Sequence, residues 1–527
     1  MGQVIEWIRS LCLLRGIIGT ANFKQFCWTS RSMPLSTVER EGRGLALYEE
    51  IKAQVIAGTY ASGTPLPSTR ACAAERGLSR TTVSAVYEQL AAEGYIETRQ
   101  GSPSRVADGA AAPGRASARP ALQPTAQDGG ARLRLALVGE RIAKLALPPI
   151  ESPPAGVVDF VYGPLAGGDF PTLAWSKASR RVERERPARL AYDDPRGDLG
   201  LRRALQAYLA RAKGLVCDVE QLLIVNGSQQ AIDLCARLLV DPGDIVAVED
   251  PGYRMAHHVF EAAGARLHAV GVDEHGLRTD ELETVPDARL VFVTPTHQFP
   301  LGAFLTVRRR HALLQWAATR GAWIIEDDYD SEYRFGVRPE ASLQSMDNRE
   351  LVLHVGTFSK TLSPRLRLGY MVLPPRLAPT FAAAKRLADR HAPIAAQRTL
   401  ALLLENGIYE RHVRRMRRAQ QARQSALLAS LQHHLADRVT IQGAASGLHV
   451  VAWLNDLSEA EEQAVVASAR QEQIRVYPLG PFYVAAPKRM TNPRRAGLVL
   501  GYALLTPEQI ETGVRRLSLA LRRVGKF

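Results

Sequence analysis

"GTFSKTLSPRLRLGY", Gly356 to Tyr370, decides how this chain is read. One lysine, Lys360, stands among small hydroxyl residues, and two arginines and a glycine follow it. Thr357 and Ser359 offer hydroxyls, Arg367 offers a cation, and Gly369 lets backbone come close. That combination suits a phosphate group with a reactive amine beside it. The stretch overlaps "LVLHVGTF", a nearly continuous apolar run of the kind that forms a buried parallel strand. Lys360 therefore falls just past a strand's carboxyl end, where open α/β sheets bind their ligands.

Working outward, "QLLIVNG", "DIVAVED", "RLVFVTP" and "AWIIEDD" read as strands of the same type, with helical stretches between most of them. The expected class is α/β: a helix-covered, mainly parallel sheet over residues 156–527. Polar residues at the strand ends are the candidates for chemistry. Gly227, Ser228 and Gln229 open a helix, an anion site in its own right.

A lysine amine is a poor nucleophile at its usual pKa of about 10.4. Burial and nearby positive charge lower that value, and an aldehyde then captures the amine as a Schiff base. Pyridoxal 5′-phosphate is the common aldehyde cofactor. Its pyridine nitrogen needs a carboxylate, and Asp327 in "IIEDDYDSEY" stands at a strand end to supply one. Tyr329, two residues on, is placed to meet the ring's phenolic oxygen. Tyr253 in "EDPGYR" is placed to stack on the ring.

Residues 37–107 read differently. "GLALYEEIKAQVIAG" has helical spacing at Leu45, Tyr48, Ile51, Val55 and Ile56, and Gly58 ends it. "LPSTRACAAERG" is a second helix with Ser68 as N-cap and Gly77 past its end. "LSRTTVSAVYEQLAAEGY" is a third, capped by Ser79 and stopped by Gly94. "YIETRQGSPSRVA" gives two short strands around a turn at Gly101. This is a winged helix-turn-helix, whose second short helix enters the major groove of double-stranded DNA by its N-terminal residues. Those are Ser79, Arg80, Thr81 and Thr82; Arg80 reaches phosphate or a guanine edge. Ser68 and Arg70 grip backbone from the preceding helix, and Arg99 lies on the wing. Eight Lys/Arg stand against eight Asp/Glu here, so placement rather than net charge argues for DNA.

Residues 108–155 are rich in Ala, Pro and Gly without usable periodicity and read as a linker. Residues 1–36 read as an unstructured extension. "IRSLCLLRGIIG" is broken by Arg9 and Arg15 and is too short to span a bilayer. No other segment reads as membrane-spanning, and five scattered cysteines without a CxxC pair suit a reducing cytoplasm rather than a disulfide frame or zinc site. The net charge of +14 suggests an anionic partner.

"PLPSTRACAAERGLSRTTVSAVYEQLAAEGYIETRQGS" resembles the winged-helix domain of the GntR family, except that the wing tip, "GSPSRVA", carries Pro103. The segment from about Asp159 to Ala503 resembles a fold-type I aminotransferase. Joined through a long linker, the two look like a MocR-type regulator, with "VEDPGYR", "VTPTHQFPLG" and "EDDYDSEYRFG" close to that family's signatures. The resemblance implies that Lys360 carries the Schiff base, Asp327 the pyridine contact, Tyr329 the phenolic-oxygen contact and Arg367 the phosphate. It also implies a head-to-tail homodimer.

Two departures bear on turnover. Aminotransferases clamp the amino-acid carboxylate with an arginine near the C-terminus, where this chain reads "LVLGYA" and has Val499. Arg494 and Arg495 are its nearest substitutes. Phe299 precedes Pro300 where an Asn-Pro pair is usual, which leaves His297 or Gln298 to take over the phenolic-oxygen contact. The expectation is a DNA-binding sensor with pyridoxal phosphate as effector, controlling vitamin B6 metabolism. The alternatives are an active aminotransferase with an accessory DNA-binding domain, or a regulator signalled by half-transamination of an amino acid.

Overall fold

Ser68 and Ser79 start helices as their spacing predicts. Ser68 Oγ accepts from the Ala71 N–H at 3.2 Å and Ser79 Oγ from the Thr82 N–H at 3.1 Å, each satisfying a donor that a helix start leaves open. The computed structural model describes residues 37–99, 102–110, 134–147, 153–186, 191–335, 341–484 and 494–524. They fall into two units divided between Ala131 and Arg132.

In the first unit, helices α1 (Thr37–Ile56), α2 (Thr69–Arg76) and α3 (Arg80–Ala92) precede a ribbon of β1 (Ile96–Glu97) and β2 (Arg105–Val106), paired antiparallel. Gly77 closes α2 with φ 58°, a left-handed turn that glycine takes without strain. One expectation is corrected: Leu45 and Ile56 of α1 are exposed, and the buried face is Leu47, Tyr48, Ile51 and Val55. That stripe lies against Val83, Val86, Tyr87 and Leu90 of α3 together with Cys72. The expected turn at Gly101 and the extension 1–36 lie outside the described residues.

The second unit opens with a helix inside the stretch expected as linker, α4 (Leu137–Ala143); residues 111–133 and 148–152 of that stretch lie outside the described residues. After β3 (Val158–Asp159), α5 (Leu199–Lys213) leads to β4 (Leu222–Val225), α6 (Ser228–Leu239), β5 (Ile245–Asp250), α7 (Arg254–Ala263), β6 (Arg266–Asp273) and β7 (Gly276–Leu277). Then come β8 (Ala288–Val293), β9 (Trp323–Asp328), β10 (Val352–Thr357) and β11 (Gly369–Val372). These make one eight-stranded sheet in the order β4-β11-β10-β9-β8-β5-β6-β7. The five apolar runs are all strands of it. β10, β9, β8, β5 and β6 run parallel, while β11 is antiparallel to both β10 and β4.

Alternation across the pleat builds the core on both faces. Leu223 and Val225 pack with Cys235 and Phe260; Leu222 and Ile224 pack with Leu201, Leu205 and Cys217 on the other side. A smaller sheet, β12 (Val439–Gln442), β13 (His449–Ser458), β15 (Tyr477–Pro478) and β16 (Arg495–Gly501), follows a long helix at Ile408–Leu435; β14 (Ile474–Arg475) pairs instead with β3. Among the described residues no helix is long and apolar enough to cross a membrane.

Candidate functional site

Three consecutive acids end β9, and the pleat sends them to different faces. Glu326 accepts from His354 Nδ1 at 3.0 Å and from the Leu343 and Gln344 amides. Asp328 faces Lys213 Nζ at 2.7 Å, Thr296 Oγ1 at 3.0 Å and Ser331 Oγ at 2.8 Å. Asp327 points the other way, into a cavity of about 610 Å³ that it shares with Lys360.

Lys360 and every predicted cofactor residue except Gly227 line that cavity: Ser228, Gln229, Tyr253, Asp327, Tyr329, Thr357, Ser359 and Arg367. Gly227 stands directly behind, because a Cβ there would come within 3.1 Å of the Arg367 guanidinium. The sheet's carboxyl edge thus gathers side chains from across about 140 residues of sequence.

Lys360 Nζ donates to the Gly163 carbonyl at 2.9 Å. Burial lowers its pKa, with Asp330 and Asp327 opposing, which favours the neutral, nucleophilic amine. Asp327 is only 3% exposed, and its Oδ1 has no hydrogen-bond partner. Burial, reinforced by the Asp328 charge, pushes its carboxyl up to about 7 against the pull of His354 and Lys360. A buried acceptor without a donor is costly, and a ring nitrogen carrying a proton answers that need. At the other end, α6 has Gly227 as its N-cap and no side chain capping it. Arg367, held at φ 51°, lays its guanidinium there and donates to the Asn226 carbonyl at 2.6 Å. The Cα of Gly369 approaches so closely that a Cβ would meet Gly227 backbone at 3.0 Å. An uncapped helix start beside an arginine and the Thr357 and Ser359 hydroxyls could hold a phosphate. The residues fit pyridoxal 5′-phosphate at both ends.

Asp327 also sets a pH dependence. With no ligand bound, its folded value near 7 lies above the ordinary carboxyl value of about 3.9. Between these two values the folded chain keeps a proton that the unfolded chain releases. Stability from this group is therefore lost as pH rises from about 4 to about 7, by on the order of 4 kcal/mol. Asp327→Asn flattens its share of that slope, which thermal midpoints of ligand-free protein across pH will register; Glu249, also raised to about 7 by burial, retains its own.

The departures resolve as follows. Gln298 is turned away, donating to the carbonyls of Pro251 at 2.8 Å and Phe299 at 2.7 Å. His297 is 2% exposed, with Nδ1 at 2.9 Å from Asp330 Oδ2 and 2.8 Å from Tyr329 Oη. Neither lines the cavity; Phe299 does, and His297 lies behind Tyr329, hydrogen-bonded to its Oη. Val499 is fully buried with Phe299, Val451, Leu479 and Phe482. Arg494 lies over the Tyr483 ring at 3.9 Å, and Arg495 bonds Thr440 and Asn455. Neither reaches the cavity wall. Sequence reasoning missed Arg254, His449 and Asp330, which do line it; Arg254 was visible as the residue after Tyr253.

In the first unit, Ser68, Arg70, Ser79, Arg80, Thr81 and Arg99 are exposed and Thr82 half-buried. Ser79 Oγ also bonds Thr81 and Thr82 Oγ1 at 2.8 and 2.7 Å, so it orders the start of α3. Arg99 lies 3.7 Å from Glu97 on the same strand end.

Residues 160–517 match the family described as aminotransferase class I and II, and residues 44–106 the bacterial regulatory proteins of the gntR family. The chain is 35% identical over 475 residues to the probable rhizopine catabolism regulatory protein MocR of Rhizobium meliloti, covering 90% of this chain and 92% of that one. It is 29% identical over 385 residues to the HTH-type pyridoxine biosynthesis transcriptional regulator PdxR of Corynebacterium glutamicum, covering 73% and 78%. Among solved structures it is similar to LysN, the alpha-aminoadipate aminotransferase of Thermus thermophilus, complexed with N-(5'-phosphopyridoxyl)-L-leucine. There the TM-score is 0.63 and the identity 30%, over 75% of this chain and 96% of that one.

Proposed function

Because the chain belongs to the MocR-type regulators, which join a GntR winged helix to a class I and II aminotransferase domain, we propose that it senses pyridoxal 5′-phosphate held on Lys360 and thereby controls vitamin B6 metabolism. It is a transcriptional regulator with an aminotransferase-like domain, and its GntR domain is the DNA-binding part. The observation that carries the finer reading is Asp327: a buried carboxyl with an unmet acceptor, in the same cavity as a deprotonation-prone lysine. Similarity to a pyridoxine-biosynthesis regulator supports vitamin B6 as the theme.

Bound there, the cofactor supplies an aldehyde for an amine and a ring that withdraws electrons. The chain's own residues do the holding. Asp327 would hold the ring nitrogen's proton, Tyr253 would cover the ring, and Tyr329, hydrogen-bonded to His297, would meet the phenolic oxygen. Ser228, Gln229, Thr357, Ser359 and Arg367 would hold the phosphate at the helix start that Gly227 caps. The position of the family's acid clamp is the apolar Val499, which favours sensing over turnover. The cofactor moves the protein only by preferring one of its arrangements. We place the working form in the cytoplasm as a head-to-tail homodimer.

The test selects binding duplexes from a random pool and measures their affinity with and without pyridoxal 5′-phosphate. A cofactor-dependent change with steep salt sensitivity is expected. Arg80→Ala should lose about 1–3 kcal/mol of affinity, mostly at one base position if Arg80 reads a guanine. Sustained amino transfer to a keto acid, with DNA affinity indifferent to the cofactor, would establish an enzyme instead.

A further inference from the structure

Tyr329 and Asp330 follow the end of β9, and both line the cavity. Behind them, the single nitrogen Nδ1 of His297 lies 2.9 Å from Asp330 Oδ2 and 2.8 Å from Tyr329 Oη. Asp330 is 1% exposed, and among the described residues His297 is the side chain that serves it. An ionised carboxylate only accepts, so these partners assign a hydrogen to Nδ1. Tyr329 Oη, on the same nitrogen, is then an acceptor as well. Its own hydrogen is left free to turn to the cavity, since Oη has no other hydrogen-bond partner among the described residues.

The His297 ring is held in that place. A Cβ at Gly447 would collide with it, one at Gly302 would come within 3.0 Å of Nε2, and the His449 ring packs at 5.3 Å. Phe299 stands where the usual Asn-Pro pair has its asparagine, and it lines the cavity with no polar side-chain atom to offer. Tyr329 therefore faces the phenolic oxygen without that second donor. A hydroxyl that accepts a hydrogen bond donates a stronger one.

We propose that His297, held by Asp330, is a positioning residue that keeps the Tyr329 hydroxyl hydrogen turned to the cofactor's phenolic oxygen, and so does from behind the work of the asparagine that Phe299 replaces. This rests on the reading of Lys360 as the cofactor lysine. A donor to the phenolic oxygen favours its ionised form, so the lysine-bound cofactor sheds its proton at lower pH. Other ionisable groups face the cluster. Asp327, Asp328 and Glu249 act with Asp330 on Tyr329, and Asp330 and Asp327 act on Lys360. His449 donates from Nε2 to the Pro300 carbonyl at 2.9 Å, and burial lowers its pKa to about 3. All of these stay in place in the variants below, so differences between variants report on His297 and Tyr329.

The test reads the pH midpoint of the visible band that the full-length protein takes on with pyridoxal 5′-phosphate. His297→Leu should raise that midpoint by about 1–2 pH units. His297→Asn, which offers an amide N–H in place of Nδ1–H, should restore most of the difference. Tyr329→Phe should raise the midpoint at least as far, and adding His297→Leu to it should change little, because the two residues act as one. Additive shifts would mean that His297 acts only by screening the Asp330 charge from Lys360. That result, or an asparagine variant that behaves like the leucine one, overturns the proposal. In ligand-free protein, nitrogen-15 NMR of the ring should find the hydrogen on Nδ1; a bare Nδ1 overturns the proposal even where a variant fails to fold. An unmoved midpoint in His297→Leu overturns this proposal alone, whereas a natural chain that takes on no band overturns the cofactor reading itself.

Discussion

Lys360→Ala protein in pyridoxal 5′-phosphate shows only the aldehyde's own absorbance, whereas the natural chain takes on the distinct visible band of a lysine-bound cofactor. Lys360 would supply the amine for the cofactor's aldehyde, a role that needs Nζ free of its proton. Burial lowers the Lys360 pKa against the pull of Asp330 and Asp327, which favours that form, and Nζ donates to the Gly163 carbonyl 2.9 Å away. Without the lysine, the contacts at Asp327 and Arg367 remain, so binding weakens rather than vanishes. A loss of about 100-fold, about 3 kcal/mol, is expected by equilibrium dialysis. That band persisting in the alanine variant at full strength would place the reactive amine elsewhere, and the whole assignment of the cavity would fall with it.

The second large effect lies behind the site. Lys213 Nζ is 2.7 Å from Asp328 and 2.9 Å from Glu332, and all three side chains are nearly out of solvent. Lys213→Met leaves two buried carboxylates without their cation, a change that costs about 3–5 kcal/mol. Thermal unfolding of the aminotransferase-like unit should show the loss. The pH sign follows from Asp328: burial pushes its carboxyl up, but the Lys213 charge, helped by His354 and hydrogen bonds, outweighs burial and holds it well below the ordinary range. Its contribution is complete above about pH 4 and is lost as pH falls through the depressed folded value. The penalty of Lys213→Met should therefore be largest near neutrality and shrink in acid. Adding Asp328→Asn should restore part of it, since the uncompensated charge goes too. An unchanged midpoint in the single variant would mean that water or another cation already serves these acids.

How much of this was legible follows from which forces act locally. The strands were readable because parallel strands buried on both faces must be apolar throughout, and the polar residues that end them had few places to go. Ser68 and Ser79 were readable as caps because capping is a local bond. The linker helix was not, because α4 exposes its apolar residues and is held by Arg141 and Arg254 reaching carbonyls more than a hundred residues apart in sequence. The buried face of α1 includes Leu47 rather than Leu45, which is equally apolar, and only the docking of α3 decides between them. Gln298 was a fair candidate for the cofactor from its position beside Phe299. Its capture by the Pro251 and Phe299 carbonyls depends on two chain segments meeting in space.

The three described thiols, Cys72, Cys217 and Cys235, sit in three separate cores, one in the first unit and one on each face of the large sheet. Burial raises the pKa of each, so each reacts only when its own surroundings open. Nature has thereby installed three reporters, and alkylation followed by peptide mapping would clock the loosening of each compartment in one sample, with no label introduced.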